Sequence, residues 1–218
     1  MSERGDLSEG GVAILPLGDR AVIVRFAETL SDNANRRAIS FAAKLNDDPP
    51  DGVEEVAPGL VSVLVRTRPG VDFWRLSGEL RLRLADEPVV DGRRHTIAIR
   101  FDGEDLEDVA ALTGMPVEAF VERHNARALR VLATGFAPGF VYCGFHDEAL
   151  IVPRRERVRP MVPAGTVIFA AGQTAIAATP IRTGWHVIGR TGFRNFDPAR
   201  TPPTELSAGD TVRFASEA

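Results

Sequence analysis

Four loops in the second half of the chain hold the residue types best able to do chemistry. The first, Thr134-Gly-Phe-Ala-Pro-Gly-Phe-Val-Tyr-Cys-Gly-Phe145, combines Gly135, Gly139 and Gly144 with Pro138. Glycine opens backbone conformations closed to other residues and proline fixes its own φ. Phe136, Phe140, Tyr142 and Phe145 would wall such a loop, which then either receives a flat polar ligand on its amides or plugs a barrel corner. The second, residues 153–159, carries four arginines, and a guanidinium presents parallel donors that fit a carboxylate or phosphate. Arg155 and Arg157 read there as a solvated turn. In the third, Gln173 can donate and accept at once, as recognition of an amide or lactam requires, and Thr174 adds a hydroxyl. A hydrogen bond capping a barrel explains them equally well. The fourth, residues 184–191, offers Trp185, His186, Arg190 and Thr191, and an indole is more often core than ligand platform. His124, near a helix end, is either an acid/base group or a favourable C-terminal cap. Cys143 has no histidine tied to it and reads as a small hydrophobe, while Asp147 and Glu148 read as surface turn residues.

Several standard chemistries have no signature. The sequence contains no GxxxxGK[ST] loop, HExxH, CxxC pair or GxSxG elbow, and no metal-ligand set is expected. A net charge of −4 and the lack of a basic helical stripe argue against nucleic-acid or membrane-surface partners. Lys44 is the only lysine among 26 basic residues, so single arginines carry less weight than usual. One cysteine excludes an internal disulfide framework, and the polar, acidic start is not that of a signal peptide. No apolar run nears the ~20 residues of a membrane helix. A cytoplasmic protein is expected.

The elements that must position these loops fall into two groups. Residues 12–16 and 21–26 read as strands, 31–45 as a helix with Ala34, Ala38, Phe41, Ala42 and Leu45 on one face, 53–57 and 60–67 as strands, and 71–84 as a second helix. This ββαββα order makes an α/β unit large enough to fold alone. After a linker at 87–94 come a strand at 95–101 and short helices at 104–112 and 116–127. From 129 onward, short apolar runs punctuated by glycine and proline suggest a small closed or nearly closed β-barrel. The expected fold class is α+β: a disordered tail (1–11), an N-terminal α/β domain (12–87) and a C-terminal β-barrel domain (88–218).

The ordered series Gly135-Phe-Ala-Pro-Gly-Phe140, Pro153-Arg-Arg, Val162-Pro-Ala-Gly-Thr-Val167, Gly172-Gln-Thr174, Gly184-Trp185, Ile188-Gly-Arg-Thr191 and Gly209-Asp-Thr-Val-Arg-Phe214 resembles a known family. That family holds the B-type subunit of bacterial 5-oxoprolinase, allophanate hydrolase subunit 1, the Kip sensor-kinase inhibitor and a segment of urea carboxylase. Gly18-Asp19-Arg20 and residues 104–110 fit the same pattern. The resemblance implies a cyclophilin-like barrel, a homologous C-type partner protein, a third subunit in some complexes, and a substrate site at or near the shared surface. It implies a hydrolase subunit acting on C–N bonds and inactive without its partner, with ATP as co-substrate of the complex. The catalytic candidates are then His124, Gln173 and Arg159. The substrate-binding candidates are Gly135, Phe136, Pro138, Gly139, Phe140, Arg154, Thr174, Trp185, Arg190 and Thr191. All are expected to converge on one recess at an end of the barrel. The chain departs from the family at Ala175, Ala177 and Ala178, where Gly-Ile-Tyr-Pro is usual after Gly-Gln-Thr, and at Arg182-Thr183, where Pro-Gly precedes the glycine. Loss of that tyrosine implies a different or larger substrate, or a weakened activity. The alternative is a Kip-like regulator that docks on a histidine kinase through Phe136, Phe140 and Phe145. Prolyl isomerase activity would rest on barrel type alone.

Overall fold

The computed structural model describes residues 11–84 and 92–217, so most of the expected tail and linker lie outside the described residues. The chain divides into two compact units, Met1–Asp91 and Gly92–Ala218.

The first unit follows the expected order, with β1 (Ala13–Pro16), β2 (Ala21–Arg25), α1 (Asp32–Asp47), β3 (Val53–Pro58), β4 (Ser62–Thr67) and α2 (Phe73–Arg83). Its antiparallel sheet runs β1-β2-β4-β3. Alternation sends Val22 and Val24 of β2, and Val63 and Val65 of β4, to one buried face. Helix α1 covers that face with Ala34, Ala38, Phe41, Ala42 and Leu45, and α2 adds Leu76 and Leu80. Ser31 caps α1 by accepting the Ala34 amide at 3.2 Å. Asp72 does the same for α2 from Arg75 at 2.7 Å.

The second unit holds β5 (Arg94–Ile99), α3 (Leu106–Leu112), α4 (Val117–Asn125), β6 (Leu129–Thr134), β7 (Val141–Gly144), β8 (Arg159–Val162), β9 (Thr166–Ala170), β10 (Gln173–Ile176), β11 (Ile181–Thr183), β12 (His186–Arg190) and β13 (Thr211–Ser216). Seven strands form one curled sheet in the order β12-β9-β10-β7-β6-β13-β5, and β11 with β8 forms a separate ribbon. An antiparallel bridge between Arg100 and Arg190 brings the two ends of the large sheet together. Ile97, Ile99, Phe120, Leu129, Val167, Phe169, Ile188 and Phe214 fill the interior, with α3 and α4 contributing Val109 and Phe120.

Three expectations need correction. The segment 134–145 is not a loop throughout, because Val141–Gly144 pairs with β6 and β10. Its Tyr-Cys-Gly centre hides the alternation that marks a strand. β8 and β11 also leave no mark in the sequence pattern: they are too short, and Arg159-Pro-Met-Val162 is too mixed, to show a period of two. Helix α3 starts two residues late, because Asp105 stands at its N-cap position without capping it by its side chain.

Removing the Ser31 hydroxyl should expose one orphan amide of α1. Ser31→Ala is expected to cost about 1 kcal/mol in urea unfolding, with Ser31→Asp recovering most of it.

Candidate functional site

Gln173 and Thr174 are neighbours in β10, so a strand must send them to opposite faces of the sheet. That constraint divides the expected site. The outer face collects Gln173, Ala175, Tyr142 and Ala170, while Thr174, Cys143 and Phe169 point inward in register with one another. Phe140, Ile168, Ala170, Ala175, Trp185 and Val187 make up a distinct apolar cluster on the outer face, with Tyr142 partly buried against it.

An aromatic series crosses this face. Phe136 meets Phe140 at 5.3 Å between ring centroids, Phe140 meets Tyr142 at 4.9 Å, and Tyr142 meets Trp185 at 5.9 Å. The exposed Arg154 guanidinium sits 5.8 Å from the Trp185 ring centre. Burial raises the Tyr142 hydroxyl above its ordinary value, against the opposing pull of the Arg154 charge. Gln173 is 8% exposed and its side-chain amide makes no hydrogen bond to another described residue. Gly139 carries a positive φ of 68°, and a Cβ there would come within 2.5 Å of the Phe196 Cβ, so only glycine closes this turn. Ala175 and Ala177 are fully buried, so the wall is closed by packing where the family's tyrosine is absent. Phe136 alone of the three phenylalanines projects, at 72% exposed, while Phe140 is 3% exposed. The broad aromatic patch expected for kinase docking is therefore not formed.

Inside the barrel, Thr174 lies between two histidines. His124 Nε2 and His146 Nε2 each lie 2.8 Å from its Oγ1. His124 Nδ1 is 2.8 Å from Asn125 Oδ1, an acceptor, so Nδ1 carries the proton and Nε2 accepts from Thr174. A hydroxyl has one proton to give, so His146 must donate its Nε2 proton to Thr174. Its Nδ1 is then a bare acceptor, and it is buried without a partner. Burial pushes His124 down to about 4 despite the Asn125 hydrogen bond. Burial, with the positive charges of His124 and Arg127, takes His146 further, to about 2. Both rings are neutral at pH 7. Thr174 and His124 thus serve an interior network rather than the outer face. Sequence reasoning misses His146, because nothing along the chain ties a lone histidine after β7 to His124.

Arg159 and Arg155 are committed elsewhere. The Asp105 carboxylate accepts Arg159 Nη2 at 2.9 and 2.8 Å, Arg155 Nη1, and the Val187 amide at 2.7 Å. Arg159 also meets Glu104 at 2.6 Å. Burial alone would raise the Asp105 carboxyl; the Val187 amide, the Arg159 hydrogen bond and the two arginine charges outweigh it and hold it below the usual carboxylate range. This cluster seats the arginine loop and the Trp185 loop together, aided by the Arg155 amide on the Gly184 carbonyl at 2.8 Å. Arg190 and Thr191 lie at the closing seam, where Arg190 pairs with Asp102 at 2.6 Å and Thr191 Oγ1 donates to the Ala98 carbonyl at 2.7 Å. Gly135 and Pro138 flank Phe136, whose φ is 72°. The expected single recess is corrected to an outer aromatic face with Gln173 and Arg154, an interior histidine network, and two structural ion-pair sites. Cys143 is buried, its thiol pushed up to about 12 by burial, which is no nucleophile at neutral pH. Among the described residues no group of three or more His, Cys, Asp or Glu could hold a metal ion. No helix among them is long and apolar enough to cross a membrane.

The curled sheet with its outer aromatic face is a carboxyltransferase-type barrel, of the cyclophilin-like kind. Its fold matches that of Kluyveromyces lactis urea carboxylase at a TM-score of 0.74 and 15% identity, over 95% of this chain and 22% of that one. The chain belongs to the carboxyltransferase domain, subdomain C and D family, whose model matches residues 12–206. It is 31% identical to the B-type subunit of 5-oxoprolinase from Bacillus subtilis over 215 residues, covering 91% of this chain and 90% of that protein. With the corresponding 5-oxoprolinase protein of Haemophilus influenzae it shares 34% over 209 residues, covering 94% and 97%. The crystal structure of TTHA0988 is similar at a TM-score of 0.83 and 36% identity; 91% of this chain matches 40% of that longer one.

Two predictions come from this geometry. Thr174→Val strands both imidazole Nε2 atoms in an apolar interior and should cost about 3 kcal/mol by urea unfolding, with Thr174→Ser largely restoring stability. The histidine pKa values are lowered by folding, so the unfolded chain binds more protons below about 6.5. Stability is complete above that pH and should fall by on the order of 3 kcal/mol for His124 as pH drops towards 4. His124→Phe should remove the His124 share of that fall and leave the share carried by His146, read as urea midpoints from pH 8 to 4.5.

Asp105 behaves in the opposite chemical sense but the same direction. Its depressed pKa gives stability that is present above the ordinary carboxylate pKa and lost as pH falls through the folded value. Asp105→Asn should cost about 3 kcal/mol at pH 7 by leaving Arg155 without its carboxylate and Arg159 with only the exposed Glu104. The Trp185 emission should shift red as its loop loosens.

Proposed function

We propose that the chain is one subunit of a heteromeric, ATP-dependent hydrolase of amide or lactam bonds, similar in kind to 5-oxoprolinase. In this reading it binds and positions a small amide substrate on the outer aromatic face, at the surface shared with a homologous partner subunit. The observation that carries it is the Gln173 side chain, mostly buried, its amide open to solvent and without a protein partner, beside Tyr142, Ala175 and the Trp185 cluster. An amide or lactam offers one acceptor and one donor side by side, which a glutamine amide matches with one donor and one acceptor. Arg154, held over the Trp185 ring and without an ion-pair partner among the described residues, supplies a fork for a substrate carboxylate. The names of the relatives support the same reaction class.

An unstrained amide resists hydrolysis until its carbonyl is activated, which is where ATP enters as co-substrate of the complex. This chain's residues contribute position: Gln173 orients the amide and the aromatic rings exclude water from around it. Arg159 and Thr174 act indirectly, the one by seating the arginine loop through Asp105 and the other by fixing β10 from inside. The protein is inactive alone in this reading, because the aromatic face is one wall of a site that the partner completes.

The test is reconstitution with the homologous partner subunit, and the third subunit where one is required, followed by ATP-dependent release of glutamate from 5-oxoproline. Gln173→Leu keeps the volume and removes both hydrogen bonds, so KM should rise about tenfold with assembly unchanged. Absence of ATP-dependent hydrolysis of any amide or lactam by the assembled complex, or wild-type kinetics in the Gln173 variant, would remove this reading.

A further inference from the structure

The outer surface of the second unit carries a cleft built from none of those four loops. It has a volume of about 460 Å³ and is lined by Arg94, His95, Thr96, Ala128, Thr211 and Arg213. Its layout follows from strand register. β5 and β13 are parallel, with Thr211 opposite Arg94 and Arg213 opposite Thr96. Side chains two apart in a strand share a face, and Val212 and Phe214 of β13 are the ones buried in the core. Arg94, Thr96, Thr211 and Arg213 therefore share the opposite, outward face as two crossed arginine–threonine pairs. Strand spacing and rise put the Cα atoms of the two arginines roughly 8 Å apart, close enough for both guanidiniums to reach one ligand between them.

The charge of this cleft is unbalanced. Among the described residues no carboxylate lines it. Arg94 has no ion pair or side-chain hydrogen bond among the described residues, and Arg213 has only a 3.5 Å contact to the Ala126 carbonyl. Other surface arginines are neutralised at close range, as with Arg66 on Glu54 and Glu55 and Arg190 on Asp102, and Arg94 and Arg213 are two unpaired arginines that lie on adjacent strands. Asp210, next to Thr211 in the chain, is buried and already holds His95 at 3.2 Å, Arg93 at 3.3 Å and the amides of Arg93 and Ser207. Like charges on adjacent strands repel, and nothing in a chain of net charge −4 requires them to be gathered here.

The geometry points to a binding site for a small oxyanion-bearing molecule, in which Arg94 and Arg213 grip a phosphate or carboxylate group from two sides and the Thr96 and Thr211 hydroxyls donate to it. Two planar forks converging on one group suit an anion with several oxygens. The volume leaves room for a small organic remainder beyond the anionic group. The site is separate from the outer aromatic face, so it stands or falls independently of the hydrolase reading.

Isothermal titration of the full chain at low ionic strength with inorganic phosphate, tripolyphosphate and glutarate tests it. At least one should bind, and the rank order tells a phosphate site from a dicarboxylate site. Arg94→Ala and Arg213→Ala should each weaken that binding at least tenfold; both side chains are exposed, so circular dichroism and urea midpoints should not move. Arg81→Ala, which removes an exposed arginine on α2, should leave affinity as in wild type. Failure of all three anions to bind, an unaltered affinity in the double Arg94/Arg213 variant, or an equal loss in the Arg81 variant overturns the proposal.

Discussion

The arrangement of the second unit depends on one buried carboxylate. Asp105 stands where a helix-capping residue would stand, yet its side chain turns away from α3 to the Val187 amide, Arg159 and Arg155. One group therefore joins the start of a helix, strand β12, strand β8 and the loop between β7 and β8. An uncompensated charge at that depth would be costly, and the pair of guanidiniums with one backbone amide makes it tolerable. The consequence for the outer face is positional. Gly184 and Trp185 are tied to the arginine loop, which is what brings Arg154 over the indole.

The second constraint is the alternation of β10. A strand cannot offer consecutive side chains to one ligand, so Gln173 and Thr174 serve different compartments. The interior compartment shows what a polar group must do in an apolar barrel. Each of His124, Thr174 and His146 finds a partner, and the single hydroxyl proton dictates both tautomers. The outer compartment leaves the Gln173 amide uncommitted to protein, whereas the Nε2 atoms of both interior histidines are spent on Thr174.

The aromatic face and the β5–β13 cleft differ in kind. The aromatic face offers stacked rings with one amide, suited to a flat, weakly polar ligand. The cleft offers two arginines and two threonines on adjacent strands, suited to an anion. The two share no lining residue.

Much of this was legible in the sequence. The helical face of Ala34, Ala38, Phe41, Ala42 and Leu45, the Ser31 cap and the order of elements in the first unit follow from periodicity and local hydrogen bonding, which depend only on near neighbours in the chain. The glycine- and proline-punctuated runs after 129 declared a barrel, and the ordered loop motifs declared the family. Only the tertiary structure decided which loop residues are free to act. Arg159 and Arg154 look alike in the sequence, but one is bound to an acid 54 positions away and the other is not. His146 joins Thr174 across 28 positions, and Arg94 meets Arg213 only because two distant strands run parallel. Such pairings are set by long-range packing and register, to which no local pattern of residues responds.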